Sequence, residues 1–242
     1  MWKLAHQCIN YLPDLVQTSD TVNQLQSLLG RMVPSGTGVV AEQITDQEKS
    51  LEYPEEVRHL KNAVPKRRNE FIVGRRCARA ALAQIGISPC ALPPDENRVP
   101  QWPVGAVGSI SHSVDLCCAV VARSDAIACL GVDLETTTRI SSGVIERITH
   151  PLERDYVKDD PARGSLIFSA KEAFFKAQFP RWKKWANFDD LAFQVDASSD
   201  RLAVLEAAAH LPTDLRSAIK SMQFRYAFLD NYVLTLCWLE AR

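Results

Sequence analysis

Apolar and polar positions along the chain alternate between helical and strand spacing, and the changes mark the elements. Residues Thr21–Arg31 carry an amphipathic helical pattern, followed by the loop-like Pro34-Ser35-Gly36-Thr37-Gly38 and a short strand pattern at Val39–Glu42. An acidic stretch covers Thr45 to Glu56. From Lys66 to Ile85 the spacing predicts a helix: Phe71, Ala78, Leu82 and Ile85 share one face, and Gly86 stands where the helix should end. Five prolines between 89 and 105 break all periodicity and predict an irregular loop ending at Trp102-Pro103. Beyond it lie Gly108-Ser109-Ile110-Ser111-His112-Ser113 and the apolar runs Leu116–Val121 and Ala126–Glu135. Arg123-Ser124-Asp125 separates those two runs as a turn, so they are expected to pair as a hairpin. Phe168–Phe179 reads as a helix beginning near Ser169. Leu191–Val195 and Leu202–Leu205 read as strands, and Phe224–Leu229 with Tyr232–Leu239 as a closing hairpin around Asp230-Asn231.

Each half therefore runs through a helix to a terminal hairpin, which predicts an α/β (α+β) protein of two related lobes meeting in a cleft. The boundary falls near 126, giving lobes of 1–126 and 127–242. A chain of 242 residues has length enough for this, and 46% hydrophobic residues excludes disorder. The net charge of −1 argues against bulk attraction to nucleic acid or an anionic membrane. No apolar run is long enough to cross a bilayer, and the first residues lack a secretory h-region. The seven cysteines show no CxxC pair, the usage of reduced thiols in a cytoplasmic protein.

The chemistry concentrates in two stretches. In Gly131-Val132-Asp133-Leu134-Glu135 two carboxylates stand two residues apart, on one face if the segment is a strand. In Phe168-Ser169-Ala170-Lys171-Glu172-Ala173-Phe174-Phe175-Lys176, Glu172 and Lys176 stand on one side of a helix. Three acids can hold a hard divalent cation, and a nearby lysine can hold the phosphate which that cation bridges. Each element also has a plainer account. Asp133 and Glu135 can be a strand running out into Thr136-Thr137-Thr138-Arg139. Ser169 to Glu172 fits a capping box, and Glu172–Lys176 an ordinary helical ion pair. The flanking Phe168, Phe174 and Phe175 weigh against a purely solvated segment, because buried charges need partners.

Ser111 and His112 are neighbours in a strand, so they point to opposite faces and do not form a hydrolase dyad. An anion clamp and a structural histidine both remain open. Arg68, Arg75 and Arg79 edge the Lys66–Ile85 helix, either as a solvated flank or as a polyphosphate site. Arg181-Trp182-Lys183-Lys184-Trp185 suits an acidic partner or a surface turn. Walker A, GxGxxG, GxSxG and HxxxH patterns are absent.

The order SHS, GVDLE, FSAKEAFFK resembles the 4′-phosphopantetheinyl transferases of the surfactin- and enterobactin-synthetase group. Lys66-Arg67-Arg68-Asn69-Glu70-Phe71, Gly74-Arg75-Arg76-Cys77-Ala78-Arg79 and Pro100-Gln101-Trp102-Pro103 add to the likeness, which runs from about Lys66 to Phe179 and points to the enterobactin-type branch. The resemblance implies a magnesium-dependent enzyme, with manganese an alternative ion. It would move the phosphopantetheine arm of coenzyme A to a serine of an acidic acyl, peptidyl or aryl carrier protein and release adenosine 3′,5′-bisphosphate. It also implies a monomer with two pseudo-twofold-related lobes and the site between them.

Carried over by position, Asp133, Glu135 and Glu172 match the metal ligands. Lys176, with Lys171 near it, matches the pyrophosphate lysines; Ser111 and His112 match the contacts to the coenzyme's phosphates. Arg67 and Arg75 match the residues at the 3′-phosphoadenosine end, and Glu172 is the candidate base, with Asp133 and Lys176 beside it. One departure from the resembled family stands out: its members often carry a lysine or arginine in the proline loop, but Leu92-Pro93-Pro94-Asp95-Glu96-Asn97 is acidic and Arg98 is the nearest cation. Two other readings are a metal-dependent phosphohydrolase acting on nucleotides or coenzyme A, and a non-catalytic carrier-binding module.

Overall fold

The computed structural model describes residues 19–46 and 53–241; the N-terminal expectations and part of the acidic stretch fall outside them. Helix α1 (Ser19–Met32) leads to β1 (Gly38–Gln43), the short α2 (Pro54–Val57) and the long α3 (Pro65–Gln84). Three strands follow: β2 (Ala106–Ser113), β3 (Leu116–Arg123) and β4 (Ile127–Thr136). Short helices α4 (Ser142–Ile148) and α5 (Arg154–Val157) precede the long α6 (Pro161–Trp182). The chain ends with β5 (Leu191–Asp196), β6 (Arg201–Ala207), α7 (Thr213–Ile219), β7 (Gln223–Leu229) and β8 (Tyr232–Glu240).

The architecture is α+β with two sheets, ordered β1-β3-β2 and β4-β8-β7-β6-β5. The expected closing hairpin forms as β7–β8, pairing Leu229 with Tyr232. The expected β3–β4 hairpin does not form. Strand β3 is flanked by β1 and β2, so both its backbone edges are used and none is left for β4. Strand β4 pairs instead with β8, Asp133 opposite Thr235 and Glu135 opposite Val233. Two apolar runs joined by a tight turn are a sound local signal, but here long-range ladders satisfy the same groups.

Helix α3 starts as predicted. Pro65 occupies a first-turn position where no N–H is needed, and Val64 before it is extended. At its end Gly86 takes φ +74°, the left-handed region that glycine enters without a Cβ penalty. Helix α6 differs from expectation. It begins at Pro161 rather than near Ser169, and Asp160 caps it by accepting from Ala162 N at 2.9 Å and Arg163 N at 3.2 Å. Gly164 and Ser165 weaken the helical pattern there, but both are buried, and the bare Cα of Gly164 admits Ile140 and Ile145.

Alternation sorts the strand side chains into layers. Cys117, Ala119 and Val121 of β3 meet Val73, Cys77, Ala78 and Ala81 of α3 in one apolar cluster. Leu116, Cys118 and Val120 turn to a second cluster shared with Leu130, Val132 and Leu134 of β4, Leu234 and Leu236 of β8, and Leu25 and Leu29 of α1. The far face of the second sheet carries α6. Among the described residues every cysteine is a free thiol, and no helix is long and apolar enough to cross a membrane.

Candidate active site

The site lies where β2, β4 and α6 converge. Strand β4 can receive α6 because position 131 is glycine: a Cβ there would overlap the Ala173 carbonyl of the helix. With the helix so close, Asp133 and Glu135, on the same face as Gly131, come against the turn of α6 that carries Glu172 and Lys176. Ser169 is mid-helix and shares a 2.7 Å hydrogen bond with Thr235 Oγ1, so the capping-box account of Glu172 falls away. Lys176 donates to Asp133 Oδ1 at 2.6 Å, Ser111 Oγ at 2.9 Å and the Val132 carbonyl at 3.2 Å. Its ammonium therefore points to the strand.

Strand β2 meets β4 along a seam made by side chains. Ser109 Oγ lies 3.5 Å from the Val132 carbonyl, and Ser111 Oγ donates to Asp133 Oδ1 at 3.1 Å while accepting from Leu134 N at 3.1 Å. Ser113 donates to Glu135 Oε1 at 3.2 Å. The two strands advance together along this seam, with serine hydroxyls taking the place of a backbone ladder. The alternation of serines at 109, 111 and 113 is the signal in the sequence for this seam. Ser111 is buried, so what it touches is Asp133 and Lys176 rather than open solvent. His112 faces the other way, toward α3, with Nε2 3.0 Å from Arg67 Nη1 and 3.6 Å from Glu70 Oε2.

The carboxylates are costly where they stand. Burial and the Asp133 charge push Glu172 up to about 8, against the partial relief of Lys176. Burial and Asp133 likewise push Glu135 up to about 7, with Arg139, Ser113 and Lys176 opposing. For Lys176, burial works against the charged form, but Asp133 and Glu172 outweigh it and raise the ammonium's pKa.

Asp133 Oδ2, Glu135 Oε2 and Glu172 Oε1 are each buried without a hydrogen bond. Three carboxylate oxygens without hydrogen bonds, one of them ion-paired to Arg139, are a donor set that fits a hard divalent cation. Among the described residues, no three acidic, histidine or cysteine side chains are yet drawn together as a ligand shell, and Lys176 partly neutralises Asp133 in their midst.

Lys171 does not join this group. Its neighbour Glu172 faces β4, but Lys171 is buried on another side of α6, 2.6 Å from Glu153 Oε2 and 2.9 Å from the Ile148 carbonyl. Burial lowers its pKa, with Glu153 opposing. Glu153 also accepts from His150 N and Phe193 N, so this ion pair ties the segment before α6 to β5.

The arginines of α3 divide similarly. Arg67 is half exposed and bonds Glu70 at 3.2 Å. Arg75 is buried, donates from Nε to the Leu92 carbonyl at 2.6 Å and lies over the Phe71 ring; burial lowers it to about 10. Arg79 binds the fully buried Glu56, which also accepts from Leu92 N at 2.7 Å. These contacts hold the proline loop against the helix. The cation that reaches the acidic loop is Lys183 at the end of α6, 3.1 Å from Asp95. It borders a cavity of about 530 Å³ lined by Pro94, Gln101, Phe179 and Trp185.

Residues 55–122 match the family described as "4′-phosphopantetheinyl transferase N-terminal domain", and residues 129–237 match "4′-phosphopantetheinyl transferase superfamily". The 4′-phosphopantetheinyl transferase Npt of Nocardia iowensis is 33% identical over 202 residues, covering 76% of this chain and 91% of Npt. The chain belongs to the 4′-phosphopantetheinyl transferase superfamily. The transferase PptT of Mycobacterium tuberculosis is 40% identical over 151 residues, covering 60% of this chain and 66% of PptT. Enterobactin synthase component D of Escherichia coli K12 is 35% identical over 124 residues, covering 49% of this chain and 58% of that protein. The likeness to PptT and component D thus spans less than two thirds of either relative. Identity is higher to PptT than to the enterobactin component. The candidate carboxylates and Lys176 all fall inside the second matched region.

Proposed function

We propose that this protein transfers the 4′-phosphopantetheine arm of coenzyme A to a serine hydroxyl of an acyl, peptidyl or aryl carrier protein, as a monomer. The observation that carries this reading is the convergence of Asp133, Glu135, Glu172 and Lys176 at a serine-lined seam between two sheets. In this reading the sheets are the cores of two lobes, 1–126 and 127–242, related by a pseudo-twofold axis, and the donor lies in the cleft between them.

Asp133, Glu135 and Glu172 would hold magnesium, or manganese in its place. When bound, the cation supplies charge neutralisation at the pyrophosphate. Lys176 places an ammonium where negative charge grows on the departing phosphate. Arg67 and His112 hold the nucleotide end of the donor along α3, and Arg75, bound to the Leu92 carbonyl, positions the proline loop beside it. The new bond joins the carrier serine oxygen to the phosphorus carrying the pantetheine, and the broken bond is the phosphorus–oxygen link of the pyrophosphate. Adenosine 3′,5′-bisphosphate leaves. The serine proton passes to Glu172, the carboxylate of α6 that faces the seam. Positioning and charge neutralisation supply most of the acceleration in such transfers.

Intact-protein mass spectrometry tests the reading directly. An apo carrier incubated with the protein, coenzyme A and magnesium gains one phosphopantetheine, and a chelator abolishes the gain. Loss of coenzyme A without carrier modification would indicate a hydrolase; carrier binding with no reaction would indicate an inert module.

A further inference from the structure

Of the three carboxylates, Glu135 is gripped from two sides. Ser113 donates to Oε1 at 3.2 Å, and Arg139 Nε lies 2.7 Å from Oε2. Oε2 accepts no hydrogen bond, so the arginine contact is one of charge with charge. The two side chains are only 19% and 14% exposed, which limits screening by water. Arg139 belongs to the turn that leaves β4, where its N–H bonds the Thr136 carbonyl at 3.0 Å. The turn thus brings the Arg139 backbone four residues from the carboxylate that its side chain meets.

A cation so placed opposes a metal at the same oxygen, because it repels a divalent ion once one is there. We propose that Arg139 is an internal competitor for the metal. It is a positioning residue that sets how much divalent cation is needed before Glu135 can act as a ligand. This rests on the metal assignment made above. Ser113 acts in the opposite sense, because a neutral hydroxyl on the other oxygen orients the carboxylate without adding charge.

Isothermal titration calorimetry with magnesium or manganese alone, in the absence of coenzyme A and carrier, separates these effects. Arg139→Gln binds the ion about tenfold tighter than the parent protein, because one repelling charge is gone. Arg139→Lys keeps the charge and stays within about twofold of the parent, while Ser113→Ala binds several-fold more weakly. The magnesium concentration for half-maximal carrier modification shifts in the same directions. Unchanged or weaker binding by Arg139→Gln overturns the proposal, as does equal tightening by Arg139→Lys, which would make the effect steric. Absence of metal binding by the parent protein overturns the metal assignment and this inference together. Binding by the parent that ignores Arg139→Gln overturns this inference alone.

Discussion

Helices α3 and α6 sit on their sheets in the same manner and put their charges to different use. Each is let down onto a strand by a glycine. A Cβ at Gly38 of β1 would overlap the Ala81 carbonyl of α3, and one at Gly131 of β4 would overlap the Ala173 carbonyl of α6. The inward charges of α3 are already spent. Arg79 is bound to Glu56, Arg76 to Glu42 at 2.6 Å, and Arg75 to the Leu92 carbonyl. On α6, Lys171 is spent in the same way on Glu153, but Glu172 and Lys176 face a seam where three buried carboxylate oxygens lack hydrogen bonds. A folded chain leaves buried polar atoms unpaired at a cost of about 1–3 kcal/mol each, so such a cluster marks the place where a ligand is expected. The same packing device thus yields a scaffold helix whose remaining exposed arginines, Arg67 and Arg68, lie at its start, and a helix that turns Glu172 and Lys176 to the unsatisfied carboxylates.

Adjacent positions of α6 offer the sharpest way to break that contrast. Glu172→Gln should lower carrier modification by about 10²–10⁴-fold, since an amide neither binds the cation well nor accepts a proton. Its thermal unfolding should stay at or above the parent's, because a buried like charge has been removed. Lys171→Gln should do the reverse, costing about 3–5 kcal/mol in urea unfolding by stranding Glu153, with the surviving folded fraction still active. If Glu172→Gln unfolds and Lys171→Gln stays stable but inactive, the two residues have been assigned the wrong way round.

A smaller effect tests the shared packing. Gly131→Ala and Gly38→Ala should each destabilise by about 1–3 kcal/mol through overpacking against a helix carbonyl. Only Gly131→Ala should also reduce turnover at saturating coenzyme A, because it shifts Glu172 and Lys176 relative to Asp133. Equal loss of turnover in both would show that the two helices contribute alike to the chemistry. The smallest effect belongs to Arg67→Ala, expected to raise the Michaelis constant for coenzyme A about tenfold, as for one lost charged contact, with stability and saturated turnover unchanged. An unchanged Michaelis constant would remove Arg67 from the donor site.

Some of this was legible in residue order because it rests on local periodicity. Helix α3, the β7–β8 hairpin, the common face of Asp133 and Glu135, and the opposed faces of Ser111 and His112 all follow from the periods of helix and strand. The start of α6 was not legible, because Gly164 looks like a helix breaker until Ile140 and Ile145 close over it. Nor was the destination of Lys171, since a helical position fixes an angle and not a partner; Glu153 comes from 18 residues upstream.

The sequence by itself determined which faces the charged and apolar side chains take on each element, and it carried the motifs that mark the family. Only the tertiary structure decided which faces meet. Strand β4 left β3 for β8 because both edges of β3 were already taken, and that exchange brought Asp133 and Glu135 under α6. The serines of β2 found β4 across the resulting seam, and Arg139 came back on Glu135. Strand edges and buried charges are satisfied by whichever groups the whole chain brings near, a condition that no local window contains.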